Sequence, residues 1–289
     1  MIANKLQIKN VETIDEVLEQ TGMNWIADQQ ELITAAGINV HSHKAIIRED
    51  NKSVLGIVGK GYEPVQNSTA FAFMDTLVQD HKATFEYLYE IDGGSKTIVQ
   101  ARIGDSFEVR EGDKVQSYLT MINSFNGTTP FTVYFTPIRL WCANQLGGSL
   151  KAAQNKVTLR HSKNIMGRAE EAFKILGKAN NYFKMFKDKS RELAQKAIDS
   201  KMVDNFLKDL MGEPESTRKE NQFEDIINHI ESGMGNNGSS LWDVYNGVTE
   251  WVDHSKIKND NKRLASALVG SGSKLKEAAW ATSLKYLDM

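Results

Sequence analysis

Hydrophobic positions along the chain change their period, and each change predicts an element. Val11, Ile14, Val17 and Leu18 recur at helical spacing before Gly22, which predicts a short amphipathic helix. The β-branched runs "HKAIIRED" and "SVLGIVGKGY" flank a polar turn and predict a hairpin from Lys44 to about Tyr62, ended by Pro64. In "STAFAFMDTLVQD" the period returns to helical, with Ser68 as cap and Phe71, Met74, Leu77 and Val78 as the buried stripe. "TFEYLYEI" and "SKTIVQARI", joined by Asp92-Gly93-Gly94, predict a second hairpin because glycine accepts the positive φ of a tight turn. "VQSYLTMINSF" and "FTVYFTPIRLW" around Asn126-Gly127-Thr128-Thr129-Pro130 predict a third.

Helical periodicity dominates the rest. Ile165, Ala169, Ala172, Phe173, Leu176, Phe183 and Phe186 predict a helix from about Asn164 to Ser200. "QFEDIINHI" predicts a short helix, "LWDVYNGVTEWVDH" one capped by Ser240, and "SKLKEAAWATSLKYL" the last. This order predicts an α+β fold, with antiparallel β-hairpins forming a sheet packed by helices and a helical C-terminal extension. The expected organisation is an N-terminal helical segment over 1–30, an α+β core over 31–205 and the extension over 206–289, with loops near 212–221 and 232–240.

Composition narrows the class. The 289 residues are 40% hydrophobic and 25% charged, which suits a folded globular protein rather than a disordered one. Cys142 is the single cysteine, and Met1-Ile2-Ala3-Asn4-Lys5 lacks the charged and apolar run of a signal peptide, so a reducing cytoplasm is expected. No apolar run reaches the roughly 18 residues of a membrane span. The net charge is only −2, but residues 151–200 hold 12 basic against 5 acidic residues, and 201–250 hold 4 against 10. A basic segment for phosphates beside an acidic one that competes for it is one reading, and two solvated helix faces that attract each other are the other.

Candidate chemistry gathers around the third hairpin. Pro137 lacks a backbone donor and predicts a strand end there, followed by a turn into helix that holds Arg139, Cys142, Asn144 and Gln145, with Arg160-His161 soon after. Arginine and amide groups near a helix N-terminus suit a phosphate or carboxylate, and an arginine tying down a sheet edge accounts for the same pattern. Cys142 with His161 lacks the context of a nucleophile–base pair, and a buried, inert cysteine is the expectation. His41 and His43 share one side of an extended chain, a spacing a metal uses, without further ligands in sequence. Glu250 and His254 share a helical face, where His254 suits a C-terminal cap. Gly56, Gly59 and Gly61 lack the Lys-Ser/Thr and helix of a phosphate-binding P-loop. Of the sheet aromatics, Tyr87 and Tyr89 share one face and Phe131 and Phe135 another, so only one set is free to stack on bases. No cofactor or metal site is expected.

Several phrases together resemble a known family: "GYEPVQNSTAFAFMDTL", "INSFNGTTPFTVYFTPIRLWCANQL", "RHS" and "LWDVYNGVTEWVDH" followed by "RLASALVGSGSKLKEAA". The chain is similar, from about residue 25 to 285, to a phage/plasmid-like family catalogued as domain of unknown function 932. Ser124, Gly127, Thr136, Pro137, Arg139, Cys142 and Asn144 occupy the family's motif positions, as do Arg160-His161 and Asp253-His254. The resemblance implies a role in a mobile element and carries no catalytic residues with it. An antiparallel sheet followed by a basic helix also resembles the plan of single-strand annealing proteins, a likeness of fold alone. The expected function is therefore non-enzymatic binding, and annealing, of single-stranded DNA by a homo-oligomer. Its contacts would be Arg139, Asn144, Arg160, His161, Lys163, Lys174 and Lys178. The alternatives are a nucleic-acid or nucleotide-processing enzyme using His161 and Arg139, and an interaction protein that binds a host or phage protein.

Overall fold

Alternation of apolar and polar residues over residues 84–139 builds the main sheet. The computed structural model of the protein describes residues 2–9, 11, 13–79, 83–140, 144–145, 156–161 and 179–289. Strands β5 (Thr84–Ile91), β6 (Lys96–Arg110), β7 (Asp113–Ser124) and β8 (Phe131–Arg139) form an antiparallel meander. The turn at Asp92, Gly93 and Gly94 has φ of 47, 66 and 99°, the left-handed backbone its sequence predicts. β1 (Ala3–Gln7) adds to β5 at one edge, and β9 (Asn144–Gln145) and β10 (Lys156–Leu159) both pair with β8 at the other. A second sheet orders β2 (Ala27–Ile33), β3 (Asn39–Arg48) and β4 (Val54–Gly59).

The predicted strand end at Pro137 does not occur. β8 continues to Arg139, and β9 and β10 return beside it in place of the expected turn into helix. β10 pairs with β8 as far as Tyr134 and β9 pairs with Ile138 and Arg139, while the residues between β9 and β10 lie outside the described residues. On its other side Pro137 lies opposite Ser117 of β7.

Both faces of the main sheet are covered. One face presents Leu88, Val99, Leu119, Met121, Val133 and Phe135 to α1 (Ile14–Thr21) and α2 (Asn67–Gln79), which contribute Val17, Leu18, Phe71 and Met74. α1 is defined locally, by a capping box between Thr13 and Glu16 and by left-handed Gly22 at its end. The other face carries Tyr89, Ile91, Ile98, Ile122 and Tyr134 under Ala265 and Leu268. Tyr89, Phe131 and Phe135 are consequently core, while Tyr87 is half-buried with the Lys5 ammonium 4.0 Å from its ring centroid.

The remaining helices are α3 (Ala179–Gln195), α4 (Ser200–Met211), α5 (Thr217–Ser232), α6 (Leu241–Glu250), α7 (Asp260–Val269) and α8 (Ser271–Leu287). α5 starts inside the segment expected as a loop because Ser216 caps it, its hydroxyl accepting from the Lys219 amide. Every residue of α6 is buried, Asp243, Asn246, Thr249 and Glu250 included. The apolar stripe of the sequence described only half of that helix, since α6 is the axis around which the others pack. Trp242, Tyr245, Trp251 and Trp280 join Phe186, Phe206 and Ile226 in this third core.

α5 and α6 meet at Gly247. A Cβ there would lie 2.4 Å from Ile230 Cγ1 and 2.8 Å from the Ile230 amide nitrogen. Gly247→Ala is therefore expected to destabilise the fold by about 1–3 kcal/mol, the cost of overpacking, read as a lower urea midpoint at unchanged slope.

Candidate functional site

Arg139 is fully buried, and all five of its donors are engaged. Nε and Nη2 donate to the two oxygens of Asp113 at 2.7 Å each, a bidentate pair that matches the planar fork to the carboxylate. The remaining donors reach the carbonyls of Met234 and Gly235 at 3.0 and 2.9 Å and Oδ1 of Asn236 at 2.9 Å. Asp113 also accepts from Trp242 Nε1 at 2.9 Å. Beside it Arg110 donates to Asp243, which receives the Ser240 amide and hydroxyl at the start of α6. This cluster fastens the β7–β8 end of the sheet to the 233–240 loop and α6. A phosphate reaching Arg139 would have to displace Asp113.

His161 lies at the opposite end of β8. Leu159 pairs with Phe131, eight residues from Arg139, which at about 3.3 Å per residue puts the two ends roughly 26 Å apart. Arg139 and His161 therefore do not share one phosphate, and the enzymatic alternative that joined them loses its geometry.

Three of the family-like phrases converge around His161. Its ring stacks on Tyr62, with centroids 4.7 Å apart and planes inclined by 25°. The Tyr62 hydroxyl donates to the Ser124 carbonyl, and Asn123 Nδ2 donates to the Val65 carbonyl at 2.8 Å. The Glu63 amide meets the His161 carbonyl. Gly56 is required here, because a Cβ would fall 2.4 Å from Asn126 Cα. Gly127, at φ of 70°, turns the loop against Val58. Ser124 and Thr128 hydroxyls both donate to Asn126 Oδ1, which holds that loop in shape.

His161 is 8% exposed, and neither ring nitrogen has a hydrogen bond of good geometry among the described residues. Burial outweighs the nearby backbone groups of Thr129 and Glu63 and pushes its pKa down to about 4, so the ring is neutral near pH 7. Arg160, its neighbour, is exposed, and so is Lys60, two residues before Tyr62. Two exposed cations are thus close in sequence to the two stacked rings, and Gly59, Gly61 and Gly127 are exposed as well.

Of the other expected contacts, Asn144 lies in β9 opposite Arg139, and Cys142, Lys163, Lys174 and Lys178 lie outside the described residues. His41 and His43 are exposed, His43 within 2.9 Å of the Ser42 hydroxyl, and His254 is exposed beyond α6. Among the described residues no three His, Cys, Asp or Glu side chains are grouped to hold a metal ion. No described helix is long and apolar enough to cross a membrane. Sequence reasoning did not single out Lys60, Tyr62 or Asp113 as site residues. The only signal for the first two was the phrase "GYEPVQN", which contains Tyr62 and directly follows Lys60.

The protein is thus an α+β protein of two antiparallel sheets whose turns and glycines converge at a cationic edge. The chain belongs to the family described as a domain of unknown function, DUF932, which matches residues 54–277. That span begins at β4 and includes both the His161 edge and the Arg139 cluster. No curated protein and no solved structure matches the chain.

Asp113→Ala leaves the Arg139 charge buried without its counter-ion and is expected to cost about 3–5 kcal/mol in urea unfolding, whereas replacing both with apolar residues should cost less. The His161 pKa has a further consequence. Between pH 6.5 and about 4 the unfolded chain binds a proton that the folded ring refuses, so stability falls as the pH falls through that window. The loss is on the order of 3 kcal/mol once the pH is below both values. His161→Phe keeps the stack and should remove this share of the acid sensitivity; equal urea midpoints against pH for both proteins would refute it.

Proposed function

We propose that the protein binds single-stranded nucleic acid without chemical turnover, and that the surface formed by Lys60, Tyr62, Arg160 and the Asn126-Gly127-Thr128-Thr129 turn is where the strand lies. The observation that carries this reading is that the exposed cations Arg160 and Lys60 adjoin, in sequence, the two residues whose rings stack, His161 and Tyr62. Two separate charges on an open surface suit a polymer whose phosphates recur along it, while a small anion is usually held in an enclosed pocket. Glycines at 59, 61 and 127 keep side chains away from the backbone there, so a sugar-phosphate chain can approach closely.

His161 acts beneath this surface as a neutral, rigid support for Tyr62 rather than as a phosphate-binding cation, since burial opposes its protonation. Arg139 contributes at one remove, by holding the sheet on which the surface is built. Binding of this kind suits the DNA metabolism of a mobile element, with annealing of complementary strands as the activity and a homo-oligomer as the working form. The interface of such an oligomer would align several cationic edges along one strand, and the basic residues Lys163, Lys174 and Lys178 extend the charge in sequence.

Fluorescence anisotropy with labelled single-stranded and duplex DNA over a salt series tests the reading. The expected result is preferential binding of the single strand, weakened about tenfold by Lys60→Ala/Arg160→Ala. The log–log salt slope should shrink by about 1.4, the share of two phosphate contacts. Binding that ignores salt, or that the double substitution leaves unchanged, would refute the assignment of this surface.

A further inference from the structure

Far from the cationic edge, the junction of α5 and α6 aligns three polar side chains. His229, near the end of α5, directs Nδ1 to Glu250 Oε1 at 3.3 Å and Nε2 to the Ser255 hydroxyl at 2.8 Å. Glu250 is buried, His229 is partly exposed, and Ser255 is exposed. The carboxylate therefore sits inside, the imidazole spans the wall, and the hydroxyl faces solvent.

The order of charges sets the tautomer. Oε1 of Glu250 also accepts the Met234 amide at 3.1 Å. Burial opposes ionisation of this carboxyl, yet the hydrogen bonds from His229 and Met234 and the nearby His254 hold its pKa below the ordinary value. An ionised Glu250 accepts a hydrogen bond from Nδ1–H, which leaves Nε2 with the lone pair that accepts from Ser255 Oγ–H. The second oxygen, Oε2, is buried without a hydrogen-bond partner among the described residues.

Two local distortions make the arrangement possible. Residues Trp251–Ser255 form one π-helical turn, and the Lys256 amide bonds the Trp251 carbonyl five residues back at 2.8 Å. In a straight α-helix residues five apart point about 140° away from each other. The widened turn brings Ser255 round toward the side of Glu250, and single π turns of this kind recur at functional sites. Gly233 is the second device, because a Cβ there would lie 2.6 Å from Glu250 Oε2 and 2.4 Å from the His229 carbonyl. A tie between α5 and α6 needs only His229 and Glu250. It gives no reason to bring a solvent-facing hydroxyl onto Nε2.

We propose that Ser255, His229 and Glu250 form a nucleophile, base and orienting carboxylate that make Ser255 reactive toward small carboxylic esters. As Oγ attacks the ester carbonyl, its proton passes to His229 Nε2 and the C–O bond of an acyl-serine forms. The bond to the alcohol oxygen breaks, and that oxygen leaves with the proton from Nε2. Water, deprotonated by the same nitrogen, then cleaves the acyl-serine, releases the carboxylic acid and restores the Ser255 hydroxyl. Glu250 is a positioning residue, since it touches only the imidazole and the backbone.

A biotinylated fluorophosphonate, which phosphonylates an activated serine with loss of fluoride, tests this on the full chain. Mass spectrometry of tryptic peptides should find the adduct on Ser255 and not on Ser53, an exposed serine that serves as internal control. His229→Ala should slow labelling of Ser255 by about 100-fold or more, the usual share of a general base, at a melting temperature that shows the variant folded. Ser255→Ala should abolish both the adduct and hydrolysis of p-nitrophenyl acetate above the solvent rate. Labelling of Ser255 no faster than of Ser53 in the wild-type protein would overturn the proposal whatever the variants do, and so would labelling that a folded His229→Ala leaves unchanged.

Discussion

The bidentate pair between Arg139 and Asp113 is the contact on which the rest of the architecture depends. It closes the end of the β7–β8 hairpin, and through the remaining donors of Arg139 it gathers the carbonyls of Met234 and Gly235. That short loop has little regular hydrogen bonding of its own, so an arginine with five directed donors satisfies groups that would otherwise be buried unpaired. Trp242 and Arg110 extend the network into α6. A buried ion pair is poor evidence of net stability, because desolvation offsets most of the attraction. Its value here is directional, since only one seating of the helical bundle on the sheet completes all these bonds.

From that seating follows the division of the molecule into two ends. The Arg139 end is enclosed, polar and fully satisfied. The His161 end carries the exposed Arg160 and Lys60, and neither ring nitrogen of its histidine has a hydrogen-bond partner among the described residues. Strand β8 spans both, so its length sets how far apart they lie. A residue type that sequence reasoning assigns to anion binding is thereby used for assembly, and the cations left at the surface are ones with less conspicuous neighbours.

The helical half shows the same economy of polar groups. α6 is buried on every side, yet it retains Asp243 and Glu250, each matched by a basic partner from another element, Arg110 and His229. Giving each buried carboxylate a directed hydrogen-bond partner restricts which faces of the helices can meet. At Glu250 the pair also reaches the surface through Ser255, and there packing and reactivity draw on the same carboxylate.

The amino-acid sequence by itself determined the local elements. Thr13 with Glu16, Ser240 with Asp243, and the glycines after Asp92 specify caps and turns through contacts only a few residues long. Alternation and turn residues marked the three hairpins, and alternation marked which aromatics share a face, while the register of the strands came from the structure. β1 and β2 were not legible, because Asn4, Lys5, Gln7, Asp28, Gln29 and Gln30 carry no apolar alternation, and pairing with a neighbouring strand is what makes them strands. Nor was the continuation of β8 through Pro137, which lies opposite Ser117 of β7. The candidate site was half legible. Arg160 and His161 stood out as a pair, whereas Lys60 and Tyr62 joined them only when segments about a hundred residues apart met. That Arg139 is committed to a partner inside the protein is decided by Asp113, a residue 26 positions away along the chain. Charge pairing across such separations leaves no periodic trace in sequence, so only the tertiary structure could make that choice.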